Sequence, residues 1–149
     1  GCSKSYAMTG WRLGWVTGAT ERIEHMLRVH QYMQACASAP AQYAATAALD
    51  GPQDRREEMA ATFEERRDLL LDGFDDMGVR CPTPHGAFYA MPSVPDGFVQ
   101  EVIDRGVVVV PGDAFGDRGA GTVRISYAAS TEQLKEALEI MDAALAAVQ

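Results

Sequence analysis

A lysine and an arginine eight residues apart stand near the start of the sequence and offer amine and phosphate chemistry. Lys4 comes first and Arg12 follows, with Gly10 and Gly14 on either side of the arginine. A lysine amine becomes a nucleophile when desolvation or a neighbouring positive charge keeps it neutral, and a guanidinium can hold a phosphate through its planar fork. Glycines let a ligand approach the backbone closely. Spacing alone favours the plainer reading, an exposed loop lysine and an arginine in a surface ion pair.

A third candidate, Arg124, stands in an alternating segment near the other end of the chain. It lies between Val123 and Ile125, and strand geometry directs its side chain away from these two apolar neighbours. A glycine-rich stretch, 112–121, precedes it. An arginine in such a place can bind a carboxylate through two parallel hydrogen bonds. A solvent-facing strand arginine fits the same pattern.

The elements that must position these residues follow from hydrophobic spacing and from glycine and proline punctuation. Alternation and β-branched residues predict strands over 11–16, 79–81, 87–91, 107–110 and 122–127. Helical spacing predicts one helix that begins at an N-cap on Thr20 and ends at Pro40. It predicts further helices over 41–49, 52–77, 96–105 and 130–148. Ser130 and Gln133 have the spacing of a capping box. This order of elements predicts an α/β or α+β fold.

Composition excludes several classes of partner. The formal charge is −8, whereas nucleic acid binding needs a basic surface, and no run of eighteen apolar residues could span a membrane. The cysteines are odd in number and indicate a reducing cytoplasm rather than a disulfide framework. Neither they nor the histidines have metal-ligand spacing, so we expect no metal site. These residues are Cys2, Cys36, Cys81, His25, His30 and His85.

The segment around Lys4 is the most informative stretch of the sequence. Residues 3–14 read SKSYAMTGWRLG and closely resemble the cofactor-lysine motif of class I aminotransferases, especially the prokaryotic aspartate aminotransferase subgroup. The resemblance implies that Lys4 binds pyridoxal 5'-phosphate (PLP) covalently and is the catalytic residue, and that Arg12 binds the cofactor phosphate. Many members carry a phosphate-binding serine three residues before the lysine, where this chain has Gly1, so that contact is not carried over.

Two further segments resemble the same family in the expected order. Residues 111–116, PGDAFG, followed by Arg124 on a strand, are similar to the family's loop and its arginine that binds the substrate α-carboxylate. Residues 84–89 are similar to a segment whose phenylalanine helps to form the wall of the active site. The resemblance therefore implies substrate-binding roles for Arg124, Gly86 and Phe88. It covers essentially the whole chain.

The same resemblance implies a domain organisation and an assembly. Residues 1–52 are expected to complete the large PLP-binding domain, and residues 53–149 to form the small C-terminal domain of the aspartate aminotransferase fold. Other cofactor contacts of the family precede the lysine motif, and its active site lies at a homodimer interface. We therefore expect the parent protein to transfer an amino group between an amino acid, aspartate or glutamate, and a 2-oxo acid. The chain without the missing N-terminal half is expected to be inactive.

Other functions are compatible with the same residues. PLP-dependent lyases, decarboxylases and synthases of this fold share the lysine and both arginines, and a non-catalytic interaction domain is a further alternative. A dinucleotide-binding loop at glycines 112, 116, 119 and 121 is disfavoured, because a strand rather than a helix follows and the spacing is wrong.

Overall fold

Six α-helices and three short strands occur in residues 1–148, the part of the chain that the computed structural model describes. The helices are α1 (Cys2–Ser5), α2 (Thr20–Met33), α3 (Ala39–Asp50), α4 (Asp54–Asp76), α5 (Phe98–Asp104) and α6 (Thr131–Val148). The strands are β1 (Tyr89–Ala90), β2 (Val110–Pro111) and β3 (Val123–Ser126). The predicted mixture of helices and a small sheet is confirmed. No helix within residues 1–148 has the length and apolar character needed to cross a membrane.

The chain divides into two compact units, Gly1–Met59 and the residues from Ala60 onward. The first unit has a small apolar core in which Cys2, Met8 and Ala45 are buried. Helix α2 contributes no buried residue to it. The segment that carries Lys4 is thus fixed by its own apolar residues and by α3.

The second unit is built on an antiparallel sheet in the order β1-β3-β2. Strand β3 is central, and Tyr89 pairs with Ser126 while Val110 pairs with Arg124. Helices α4, α5 and α6 supply most of the other buried core residues, among them Leu70, Phe74, Phe98, Val102, Leu134, Met141 and Leu145. The helices therefore pack against β3, the strand that carries Arg124.

The predicted capping box at the start of α6 is confirmed. The Gln133 amide donates to Ser130 Oγ at 3.2 Å, and the Ser130 amide donates to Gln133 Oε1 at 3.1 Å. These two bonds satisfy donors that a helix N-terminus leaves without partners. Here the local sequence alone determines where the helix begins.

Three predictions in the first unit are wrong. Residues 11–16 do not form a strand; Thr9–Trp11 is a 3-10 helix and an irregular segment follows. This alternating segment has no partner strand within residues 1–148, and a strand needs a partner for its backbone hydrogen bonds. Ala19 rather than Thr20 is the N-cap of α2, and Pro40 lies in the first turn of α3 instead of ending α2.

Two predicted strands of the second unit also need correction. Residues 79–81 form no strand, because the chain leaves α4 through Gly78 at φ 67° and the Val79 amide donates back to the Phe74 carbonyl. In the run 107–110 only Val110 belongs to a strand. Val108 is 82% exposed, whereas Val109 is 4% exposed. The exposure of Val108 shows that this run is not a strand buried on both faces.

Candidate functional site

Lys4 lies in helix α1, a short helix that the sequence pattern did not predict. The side chain of Cys2 in the same helix is fully buried, whereas Lys4 is exposed. The Ala7 amide donates to the Lys4 carbonyl at 3.2 Å, and Ala7 has a positive φ of 52°. Buried neighbours therefore fix the helical turn while the amine lies at the surface of its unit.

Arg12 has an unusual backbone conformation. Its φ of 53° and ψ of 45° are left-handed, which costs an arginine about 1–2 kcal/mol. The guanidinium Nη1 donates to the Thr9 carbonyl at 3.2 Å, and the Thr9 hydroxyl donates to the Ser3 carbonyl at 2.9 Å. Thr9 thus connects the residue before Lys4 with Arg12. Sequence reasoning missed this role, although a hydroxyl between the two cations was a visible signal.

The donor set of residues 1–14 fits the cofactor that the resemblance implies. Lys4 offers a primary amine for an aldehyde. Within residues 1–148, Arg12 forms no ion pair with a carboxylate, so its charge is available to a phosphate. A strained conformation at such a residue is typical of functional positions.

Arg124 lies on β3 with its flanking residues directed into the core. Val123 is fully buried and Ile125 is 8% exposed, which confirms the predicted alternation. The guanidinium carbon is 4.5 Å from the centroid of the Tyr89 ring and 4.3 Å from that of the Phe115 ring. No carboxylate in residues 1–148 forms an ion pair with Arg124. Aromatic rings therefore contact the cation, and no protein anion in that range neutralises it.

Sheet register explains the position of Tyr89. Tyr89 pairs with Ser126, so Arg124 is its diagonal neighbour on the same face of the sheet. The Tyr89 ring is also 4.5 Å from Phe88, whose ring is 5.9 Å from Phe63 on α4. A row of rings thus leads from α4 to Arg124. Sequence reasoning considered only Phe88 in this row.

Close backbone contacts position Phe115. It ends a 3-10 helix, Gly112–Phe115, which starts directly after β2. The Gly112 amide donates to the Thr122 carbonyl at 2.8 Å, and the Thr122 hydroxyl donates to the Gly119 carbonyl at 2.7 Å. Gly116 has a φ of 116° and a ψ of 166°, a conformation open essentially to glycine alone. The glycines let the loop fold tightly, and Phe115 contacts Arg124 as a result.

Gly86 and Phe88 flank a third non-glycine residue with a positive φ, after Ala7 and Arg12. Ala87 has a φ of 60°, and the hydroxyl of the buried Tyr127 donates to its carbonyl at 3.3 Å. Burial raises the pKa of Tyr127, while the charge of Arg67 opposes the change. The hydroxyl therefore remains a donor at neutral pH. Gly86 is exposed, and a Cβ added there would have no neighbour within 4 Å.

The predicted site residues divide between the two units. Lys4 and Arg12 belong to the first unit, and Gly86, Phe88 and Arg124 to the second. In the second unit Phe88 lies next to Tyr89, which contacts Arg124. The structure thus adds Tyr89 and Phe115 as direct neighbours of the arginine.

Substitution of Gly112 with alanine should destabilise the second unit. The added Cβ would overlap the Thr122 hydroxyl and the Gly119 carbonyl, and a backbone atom cannot move aside easily. We expect the free energy of unfolding, measured with urea, to fall by about 1–3 kcal/mol. The exposed loop residue Asp117 is the control, and Asp117→Ala should change that value by less than about 0.5 kcal/mol. Equal stability of the Gly112→Ala variant and the original protein would show that the loop is not tightly packed.

Comparison with known proteins finds aminotransferases that match almost the whole chain. A probable aspartate aminotransferase of Methanocaldococcus jannaschii is 43% identical over 152 residues, which cover 95% of this chain and 40% of that protein. An LL-diaminopimelate aminotransferase of Moorella thermoacetica is 37% identical and covers 99% of this chain and 39% of its own length. The crystal structure of an aromatic aminotransferase from Pyrococcus horikoshii superposes with a TM-score of 0.92 at 40% identity, over 99% of this chain and 42% of that one.

The chain thus spans about 40% of the length of the relatives it matches. The profile of aminotransferase class I and II matches residues 1–141, which include Lys4, Arg12 and Arg124. The matched range, the identities and the superposition agree with one another. This chain belongs to the aminotransferase class I and II family.

Proposed function

We propose that the protein carrying this chain is a PLP-dependent aminotransferase that exchanges an amino group between aspartate or glutamate and a 2-oxo acid. The observation that carries the proposal is Arg124, whose guanidinium carbon lies within 4.5 Å of the centroids of two aromatic rings and which has no carboxylate partner in residues 1–148. Such a guanidinium suits an anionic ligand. Membership of the family supplies the reaction class.

Lys4 and Arg12 are proposed to hold the cofactor. Lys4 would hold it through the amine and, once released by substrate, would move a proton between the substrate Cα and the C4′ carbon of the cofactor. Arg12 binds the phosphate and so fixes the cofactor relative to Lys4. When bound, PLP supplies the electron sink for the carbanion at Cα. The protein residues contribute placement, charge and the proton acceptor.

Arg124 is proposed to bind the α-carboxylate shared by amino acids and 2-oxo acids, with Gly86 and Phe88 at the pocket wall. A bidentate guanidinium recognises a carboxylate by geometry as well as by charge. The preference for aspartate rests on likeness to relatives named aspartate aminotransferases. Other relatives are named for LL-diaminopimelate or aromatic amino acids, so the donor side chain is the part of the proposal that substrate profiling must decide.

We also propose the organisation that the family resemblance implies. Residues 1–52 complete the large domain and residues 53–149 form the small one, in a cytoplasmic homodimer. The compact units divide after Met59, inside the helix that begins the proposed small domain. Activity is assigned to the full-length protein, because this chain covers only about 40% of its relatives.

Covalent trapping tests the cofactor assignment. The full-length protein is mixed with PLP, reduced with borohydride and mapped by peptide mass spectrometry. We expect a stoichiometric adduct at Lys4 and none at Lys135, the other lysine of this chain. Modification spread over several lysines, or concentrated on a lysine other than Lys4, would contradict the assignment. Lys4→Arg is the matched control and should lose the adduct.

A further inference from the structure

We propose that Tyr89 and Phe115 are positioning residues that hold the plane of the Arg124 guanidinium for substrate binding. The inference rests on the proposed role of Arg124 as the carboxylate-binding residue. Neither ring needs to touch the substrate for this role. Both act by restricting the orientation of the cation.

The geometry sets which part of the guanidinium remains available. The Tyr89 and Phe115 centroids lie 4.5 Å and 4.3 Å from the guanidinium carbon. Both distances are within the range of cation–π attraction, and a planar guanidinium stacks on aromatic faces. The N–H donors lie in the plane of the group and point outward from its edge. A guanidinium that stacks on rings in this way keeps its edge for two parallel bonds to a carboxylate.

Ordering the Arg124 side chain before the substrate arrives lowers the entropic cost of binding. An arginine has many rotamers, and ordering them as a ligand arrives reduces affinity. Rings that already contact the guanidinium remove part of this freedom in the unliganded protein. The effect is confined to ligands that use Arg124, so it changes the affinity for carboxylates and leaves chemistry at the amine unaffected.

Each ring is held by a rigid feature of its own. Tyr89 is fixed by its pairing with Ser126 on β3 and by the neighbouring ring of Phe88. Phe115 is held by the glycine-dependent loop and is nevertheless 51% exposed. Its ring therefore lies against Arg124 without being enclosed in the core.

Leucine substitutions remove each aromatic face while keeping apolar bulk. In the full-length protein we expect Tyr89→Leu and Phe115→Leu each to raise KM for aspartate and for 2-oxoglutarate by about 2- to 10-fold. The kcat should stay within about twofold, because lost ground-state binding does not change the chemical step. The Kd of 2-oxoglutarate, measured by calorimetry, should rise by the same factor. The separate variants Tyr89→Phe and Phe115→Tyr keep the ring and should retain the original KM and Kd.

A double-mutant cycle separates positioning from a general structural effect. On an Arg124→Lys background the leucine substitutions should raise KM much less, since an ammonium has no planar face to align. Leucine variants that lower kcat and leave KM unchanged, or that act equally on both backgrounds, would overturn the positioning role. If Arg124→Lys itself leaves KM and Kd unchanged, the proposed carboxylate role fails. If it raises both and the leucine variants do not, only the positioning inference fails.

Discussion

Replacing Lys4 with alanine should abolish amino transfer in the full-length protein. The variant loses both the amine proposed to bind PLP and the group proposed to move the proton at the substrate Cα. General acid–base catalysis alone contributes about 10²- to 10⁴-fold, so we expect kcat to fall by at least that range. Steady-state turnover of aspartate and 2-oxoglutarate measures the loss. A Lys4→Ala protein with a normal rate would exclude Lys4 as the catalytic residue.

The matched control uses the second lysine of the chain. Lys135 is exposed on α6, in the second unit, and has no proposed role in the site. Lys135→Ala should therefore retain normal kcat and KM. Lys4 is also exposed, so its removal should change the free energy of unfolding of the cofactor-free protein by less than about 0.5 kcal/mol. Loss of turnover with unchanged stability assigns the effect to chemistry rather than to folding.

Local signals in the sequence predicted the parts of the fold that depend on local chemistry. The capping box at Ser130 and Gln133 formed because both partners lie within one helical turn. The orientation of Arg124 followed from strand geometry and its two apolar neighbours. Such features need no knowledge of the remaining chain, which is why spacing was sufficient.

Predictions that needed a distant partner were wrong or incomplete. Residues 11–16 have the composition of a strand, yet composition cannot show whether another strand pairs with them. The valine run 107–110 could not reveal that its sheet is antiparallel and covered on one face. Length and residue type were therefore insufficient wherever tertiary contacts determined the structure.

The candidate site, like the fold, was predicted only in part from the sequence. Family resemblance selected Lys4, Arg12 and Arg124, but the neighbours of these residues required the structure. Tyr89 reaches Arg124 through a diagonal register across β1 and β3, which no sequence pattern encodes. The left-handed backbone of Arg12 is equally invisible in sequence, because an arginine adopts it only where surrounding contacts impose it.

Replacing Arg124 with lysine should impair substrate binding far more than it impairs chemistry. The variant keeps the positive charge but loses the planar fork that can make two parallel bonds to a carboxylate. Charge-assisted bonds are worth about 1.5–3 kcal/mol, so we expect KM for aspartate and 2-oxoglutarate to rise by about 10- to 100-fold. Arg118 lies exposed in the 3-10 helix Asp117–Gly119 before β3 and provides the matched control. Arg118→Lys should leave both KM values unchanged.

A substrate without a carboxylate tests whether the effect arises at the proposed contact. Arg124→Lys should not slow the half-reaction of a simple primary amine with the PLP form of the protein, because that amine never uses the guanidinium. If the amine and aspartate are slowed by the same factor, the substitution has disturbed the site as a whole and carboxylate recognition is not its cause. If only aspartate is affected, the loss appears in KM, since an interaction made equally in the ground and transition states changes binding without changing kcat. Arg124 then sets the affinity for the group that amino acids and 2-oxo acids share, and recognition of the donor side chain must come from other residues.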